Sequence, residues 1–186
     1  MGNGELTIKV QAWIGQLASD DAAVRHDAKT QLISLTRSRL EAICRRMFFS
    51  SLRSAPAVDW EDAFQEAVMK LLNALDVVQP QNPREYFGLA SKKIRETLLD
   101  MCRKWVRDPV PFAVGSETSM SPVTAAKWEE FHRQVQLLKP KLCETFELLW
   151  YHELPQAEVA ELLGVDVRTV KRYWQEARLA MADYAP

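Results

Sequence analysis

Apolar residues return at three- and four-residue intervals along most of the chain, and alternating Val/Ile/Thr runs are nearly absent, so the pattern predicts helices and no sheet. Leu6, Val10, Trp13 and Leu17 mark a first amphipathic helix. Val24, Ala28, Leu32, Leu35, Leu40, Ile43 and Met47 mark a longer helix or a broken pair, interrupted by SSLRSAPAV at 50–58. A third helix starts at the N-cap Asp59, sets Glu61 and Asp62 in its positive first turn, and buries Phe64, Val68, Leu71 and Leu75. After DVVQPQNP, a fourth begins near Arg84 and buries Phe87, Ala90, Ile94, Leu98, Met101 and Trp105.

Residues 106–124, VRDPVPFAVGSETSMSPVT, show no helical period and hold three of the nine prolines, which reads as a linker. Beyond it Trp128, Phe131, Val135 and Leu138 share one helix, Leu142, Phe146 and Leu149 follow Pro140, and two short helices flank Gly164. The expectation is an all-α chain of two small helical domains, 1–105 and 125–186, joined by a flexible linker at 106–124.

The chain has 186 residues, enough for one ordinary domain or two small ones. Its net charge of -1 and pI near 6.3 exclude a protein that coats nucleic acid by bulk attraction, so any DNA contact must be local. Cys44, Cys102 and Cys143 are far apart and form no C-x-x-C pair, and His26, His132 and His152 have no metal-ligand spacing. No metal, cofactor or catalytic residue is therefore expected, and the chain is not read as an enzyme. No apolar run is long enough for a membrane helix and the N-terminus lacks the order of a signal peptide, so a cytoplasmic protein with no membrane partner is expected.

Against this mild overall charge, GVDVRTVKRYWQEAR (164–178) concentrates Arg168, Lys171, Arg172 and Arg178. At about 100° per residue, Val170, Trp174, Ala177 and Met181 form one narrow stripe, with Arg168, Lys171, Arg172 and Gln175 opposite. Just upstream, PQAEVAELLG opens on Pro155, carries the small Ala160 where two helices must approach, and ends on Gly164, which suits a sharp stop; Asp166 caps the next helix. This spacing is that of a helix-turn-helix. Arginine can fork onto guanine, glutamine can pair with adenine, and lysine can neutralise phosphate.

The stretch PQAEVAELLGVDVRTVKRYWQEARLAM resembles region 4.2 of sigma-70 family RNA polymerase sigma factors of the extracytoplasmic-function (ECF) type. Glu158, Val159, Ala160, Leu163, Gly164, Val165, Thr169, Val170, Lys171, Ala177 and Arg178 occupy the family pattern, with Met181 in place of its final leucine. The resemblance implies that Arg168, Thr169, Lys171, Arg172, Gln175 and Arg178 contact the −35 promoter element.

The first block carries a second likeness. DWEDAFQEAVMKLLNAL resembles sigma region 2.2, and helical angles group Asp62, Gln65, Glu66, Met69 and Asn73 into a mildly acidic face opposite Phe64, Val68 and Leu71. In the family this face grips the β′ coiled coil of core polymerase, and the C-terminal domain holds the β flap.

NPREYFGLASKKIRETLLDMCRKW resembles regions 2.3 and 2.4, which open the −10 element. Here Lys92, Lys93, Arg95, Arg103, Lys104 and Arg107 outnumber Glu96 and Asp100. A basic helix beside aromatics suits single-stranded DNA, because phosphates need positive charge and an unstacked base needs a flat partner. Tyr86, Lys92, Lys93, Arg95, Glu96 and Arg103 are the candidate −10 residues, with DVVQPQNPREY as the loop receiving a flipped base. The absence of a large domain between the two blocks places the resemblance in the ECF group. Core polymerase and promoter DNA, duplex and single-stranded, are the implied partners, and the family allows an anti-sigma factor as a further one. Two other classes compete: a polymerase-independent helix-turn-helix regulator, which needs only the second block, and a nucleic-acid enzyme such as a recombinase, for which no catalytic constellation is found.

Overall fold

A computed structural model describes residues 3–51, 59–107 and 122–184, with side chains described at 5–48, 59–104 and 126–184. Its described residues form helices and no strand. In chain order these are α1 (Asn3–Gln16), α2 (Ala22–Ser51), α3 (Trp60–Val77), α4 (Pro83–Arg107), α5 (Pro122–Leu137), α6 (Pro140–Phe146), α7 (Gln156–Leu163) and α8 (Val167–Met181). A π-helical turn, Glu147–Tyr151, continues α6, and a 3-10 turn, Ala182–Tyr184, ends the described chain.

The choice left open for residues 22–51 resolves as one unbroken helix of 30 residues. Buried Ala28, Leu32, Leu40, Ile43, Cys44 and Met47 run along it at helical spacing, which holds it against its neighbours. α3 begins as its sequence predicts: the Asp59 carboxylate accepts from the Glu61 backbone N–H, satisfying one of the helix's open donors. The loop into α4 is closed by Glu85, whose carboxylate accepts from the Gln81 backbone N–H at 2.8 Å and from the Asn82 amide at 2.8 Å, while Asn82 Oδ1 accepts from the Glu85 N–H at 3.0 Å. This is a variant of the capping box with Asn82 as the cap, in which Glu85 reaches the backbone N–H one residue before it.

α4 lies at the centre of the molecule. It packs on α1, α2 and α3 through Phe87, Ala90, Ile94 and Leu98, all buried, and on α5, α7 and the π-helical turn through other faces. A single continuous core therefore runs from Val10 in α1 to Met181 in α8. Most of the linker predicted at 106–124 lies outside the described residues, but its ends are helical, since α4 reaches Arg107 and α5 begins at Pro122. The expected burial of Trp105 also falls outside the described side chains.

Phe146 is the hub of the C-terminal packing. Its ring lies 5.6 Å from Trp150, 5.6 Å from Trp174, 6.1 Å from Phe131 and 6.2 Å from Tyr151. Offset and edge-on aromatic contacts of this kind add about 0.5–1.5 kcal/mol each beyond the area they bury.

Candidate nucleic-acid interface

α7 and α8 are joined by a short turn held by its own backbone hydrogen bonds. Gly164 adopts φ 64°, ψ 37°, the left-handed conformation that costs a side chain with a β-carbon about 1 kcal/mol or more. There the Gly164 N–H donates to the Glu161 carbonyl and the Val165 N–H to the Ala160 carbonyl, the paired bonds of a Schellman stop. Asp166 then starts α8 by accepting from the Thr169 N–H at 2.9 Å and from its hydroxyl at 3.0 Å. Those bonds, the backbone one foremost, hold the Asp166 carboxyl below its ordinary pKa, so it stays anionic at the positive end of α8.

Val170, Ala177 and Met181 anchor α8 to the domain. Trp174, expected in the same buried stripe, is only half-buried: it leans on Phe146 and lines an apolar groove with Trp128, Phe131, Trp150 and Leu179. On the far side Arg168, Lys171, Arg172 and Gln175 are all exposed, as the helical angles predict. Thr169 is half-buried, with its hydroxyl proton committed to Asp166. Arg178 is exposed but turned toward the groove, its guanidinium 5.9 Å from the Trp174 ring, and so lies apart from the other candidates. The nearest acid to this face is Glu176, 3.9 Å from Arg172, a surface pair too weak to neutralise it. A short helix, a fixed turn and a second helix with a bare basic face define a helix-turn-helix DNA-binding protein.

Residues 128–181 match the family model for Sigma-70, region 4, which identifies this part of the chain as a sigma-70 region 4 domain. No curated protein matches the chain. The match supports a role for this domain in DNA binding at the −35 element. No helix among the described residues is long and apolar enough to cross a membrane.

On α3, Asp62, Gln65, Glu66, Met69 and Asn73 are all exposed on one face, opposite buried Ala63, Phe64, Ala67, Leu71 and Leu75. Glu66 also holds Lys70 at 3.0 Å, and Lys70 bridges to Asp100 of α4. The exposed Met69 supplies the face with an unbranched apolar contact that can adapt to a partner.

The candidate −10 residues on α4 do not share one exposed face: Lys92, Lys93 and Glu96 meet, whereas Tyr86 and Arg95 are buried. Lys92 is exposed and Lys93 half-buried, and both lie near Glu96, Lys93 at 2.8 Å. Arg103 is exposed and paired with Glu129 of α5. Tyr86, read from sequence as open to bases, is fully buried, with its hydroxyl 2.8 Å from that of Thr36 on α2. The i to i+1 step from Phe87 does not expose it, because α4 has neighbours on more than one side. Burial also pushes the Tyr86 phenol well above its ordinary pKa. Tyr86→Phe should cost about 1 kcal/mol of stability through the lost Tyr86–Thr36 hydrogen bond, with Thr36 still donating to the Leu32 carbonyl, and leave single-strand affinity unchanged; a binding loss in a fluorescence titration would contradict that.

Arg95, the other corrected residue, is 4% exposed and donates to the Glu147 carboxylate in the π-helical turn at 3.0 Å. Its guanidinium also lies 5.6 Å from the Tyr151 ring centre. Beside it, the Tyr151 hydroxyl is 2.7 Å from His132 Nδ1. Burial, helped by the Arg95 charge, takes the His132 pKa down to about 3, so that ring is neutral at pH 7. His152 is likewise held near 3 by burial. Its Nε2 is 2.9 Å from the Phe87 carbonyl and 2.5 Å from the Ser91 hydroxyl. Because a carbonyl can only accept, Nε2 carries the proton.

Sequence reading missed Glu129, Glu144, Glu147, Glu153 and Glu158 as partners of the first block, since nothing local marks them. Among the described residues no cluster of His, Cys, Asp and Glu could hold a metal ion. Burial raises the thiol pKa of Cys44 to about 12, of Cys102 to about 11 and of Cys143 to about 12, so none is a reactive thiolate at neutral pH.

Proposed function

We propose that the chain is a cytoplasmic sigma factor of the ECF type, which directs core RNA polymerase to particular promoters and performs no chemistry of its own. What carries this reading is the pairing of a region 4 domain with a second, bare partner surface on α3 of the kind the family uses to bind polymerase. The C-terminal domain reads the −35 duplex through Arg168, Lys171, Arg172 and Gln175, with Thr169 supporting the helix start. Its groove between Trp128, Phe131, Trp150 and Trp174 offers an apolar seat for the polymerase flap. The α3 face of Asp62, Gln65, Glu66, Met69 and Asn73 docks on the β′ coiled coil. α4 contributes Lys92, Lys93 and Arg103 to the opened −10 strand, whereas Tyr86 and Arg95 serve the core and the interface between the two blocks.

The test is capture of purified core polymerase by the full chain, alongside an Asp62→Ala/Glu66→Ala variant. Binding by the parent and loss in the variant is expected; no binding by either would make a polymerase-independent regulator the better reading. In the same holoenzyme, Arg168→Ala or Arg172→Ala should weaken promoter use by about 1–3 kcal/mol per lost bidentate contact and leave polymerase capture intact. Equal losses in both assays would refute this division of labour.

A further inference from the structure

Between α4 and the helix formed by α6 and its π-helical continuation lies a cavity of about 420 Å³, within the size range of small-molecule sites. Its floor is one side of α4, with Arg84, Gly88, Lys92 and Arg95, and its facing wall carries Glu144, Glu147 and Leu148. Arg95 and Glu147 hold each other, and Glu85 at the rim is engaged by Gln81 and Asn82, so these charges are already answered. Gly88, Glu144 and Lys92 are the groups whose state the packing alone does not account for.

Gly88 lies inside α4, where glycine destabilises a helix relative to alanine. Its backbone is not in the left-handed region, and a β-carbon placed on it would meet no atom within 4 Å. Neither conformation nor packing therefore calls for glycine at this position. What the missing side chain does is leave the cavity floor as bare backbone, on which a flat group can lie. Glu144 is unusual in a different way. Its Oε1 accepts from Arg84, whereas Oε2 is buried with no hydrogen-bond partner among the described residues. An unpaired buried carboxylate oxygen is unfavourable, and rotation about the last side-chain bond turns it to the cavity, where a ligand N–H can pair it. Lys92 is exposed and has Glu96 no nearer than 3.9 Å, which leaves its ammonium open to an anion.

We propose that this cavity binds a guanine nucleotide. The ring lies over the bare backbone at Gly88 and against Leu148, its adjacent N1–H and N2–H donors meet the Glu144 carboxylate, and its phosphates meet Lys92. A carboxylate only accepts, and guanine is the base that sets two N–H donors side by side. Adenine and cytosine instead present one amino group beside a ring nitrogen that itself accepts, so they would turn a lone pair toward Glu144. The spacing along α4 suits a nucleotide: Arg84, the partner of Glu144, and Lys92 are eight residues apart, about 12 Å along the helix axis. A base held beside Arg84 thus carries its phosphate end to Lys92, a reach that a free amino acid lacks. Floor and wall come from different blocks, so nucleotide binding and the contact between the blocks favour each other.

The experiment is calorimetric titration of the full chain, and of Gly88→Leu and Glu144→Gln, with GDP, ADP and inorganic phosphate, together with thermal unfolding of each protein. The parent should bind GDP, and ADP at least about tenfold more weakly, because a site built around a hydrogen-bonded group rejects the analogue that lacks it. Gly88→Leu fills the floor and should abolish GDP binding. Its unfolding temperature should be no lower than the parent's, since the space above Gly88 is open and leucine is the better helix former. Glu144→Gln should bring the GDP and ADP affinities together. Absence of GDP binding to the parent, or equal GDP binding by the parent and Gly88→Leu, would overturn the site. Equal affinity of the parent for GDP and ADP would overturn the guanine assignment and the proposal with it. Phosphate binding as tight as that of GDP would reduce the contact to an anion on Lys92 and also overturn it. Gly88→Ala, which stabilises α4 and sets one carbon over the floor, keeps the test decisive if the leucine variant does not fold: weaker GDP binding is expected, and unchanged binding would count against the site.

Discussion

Phe146→Ala should lower the stability of the C-terminal domain by about 3–5 kcal/mol, as aromatic-to-alanine changes in cores do. The residue is 3% exposed and its ring is in contact with Phe131, Trp150, Tyr151 and Trp174, so the vacated space has rigid walls on several sides. A loss this large is comparable to the whole stability of a small domain. Trp174 is one of the residues tying α8 to the rest, so the variant should also lose duplex binding although every basic residue of the reading face remains. Urea unfolding followed by tryptophan fluorescence reports the first effect, and duplex titration the second. A loss below about 1 kcal/mol would mean that the aromatic cluster closes over the gap, in contrast to what close-packed interiors ordinarily allow.

The second large effect is expected at Arg95. Arg95→Leu should destabilise the chain by about 3–5 kcal/mol, because it leaves the Glu147 carboxylate in a largely buried place without its cation. The double variant Arg95→Leu/Glu147→Leu should recover most of that loss, since two well-packed apolar side chains can replace a buried pair at little cost. A double-mutant cycle measures this directly. Additive losses would show that the two side chains do not depend on each other, contrary to their 3.0 Å contact.

The difference between what could and could not be read from sequence follows the range of the forces involved. The start of α3 at Asp59, the turn at Gly164 and the cap at Asp166 depend on residues within four or five positions, and each is found where the sequence indicates. The exposed faces of α3 and α8 were equally legible, because each helix has one buried side and the helical angle alone decides the rest. Tyr86 and Arg95 failed for a common reason. A helical wheel orients a residue relative to its own core stripe, and α4 is enclosed by elements from both ends of the chain. Arg95 meets a carboxylate 52 positions away, and no periodicity within α4 encodes that partner. Trp174 erred in the opposite direction: it falls in the apolar stripe, yet the surface beside it is a groove rather than another helix.

The π-helical turn at Glu147–Tyr151 bears on how this gene can vary over time. Such a turn holds one residue more than the α-helical path it replaces. Deleting one residue there would let the backbone relax to an ordinary helix along the same path and keep the downstream register, whereas the same deletion in the regular turns of α6 would rotate everything downstream by roughly 100°. His152 would then swing away from Ser91 and Phe87, and the second block would lose its register on the first. Single-codon deletions should therefore be better tolerated in this segment than in α6, so long as Trp150, which lines the groove proposed for the polymerase flap, is kept.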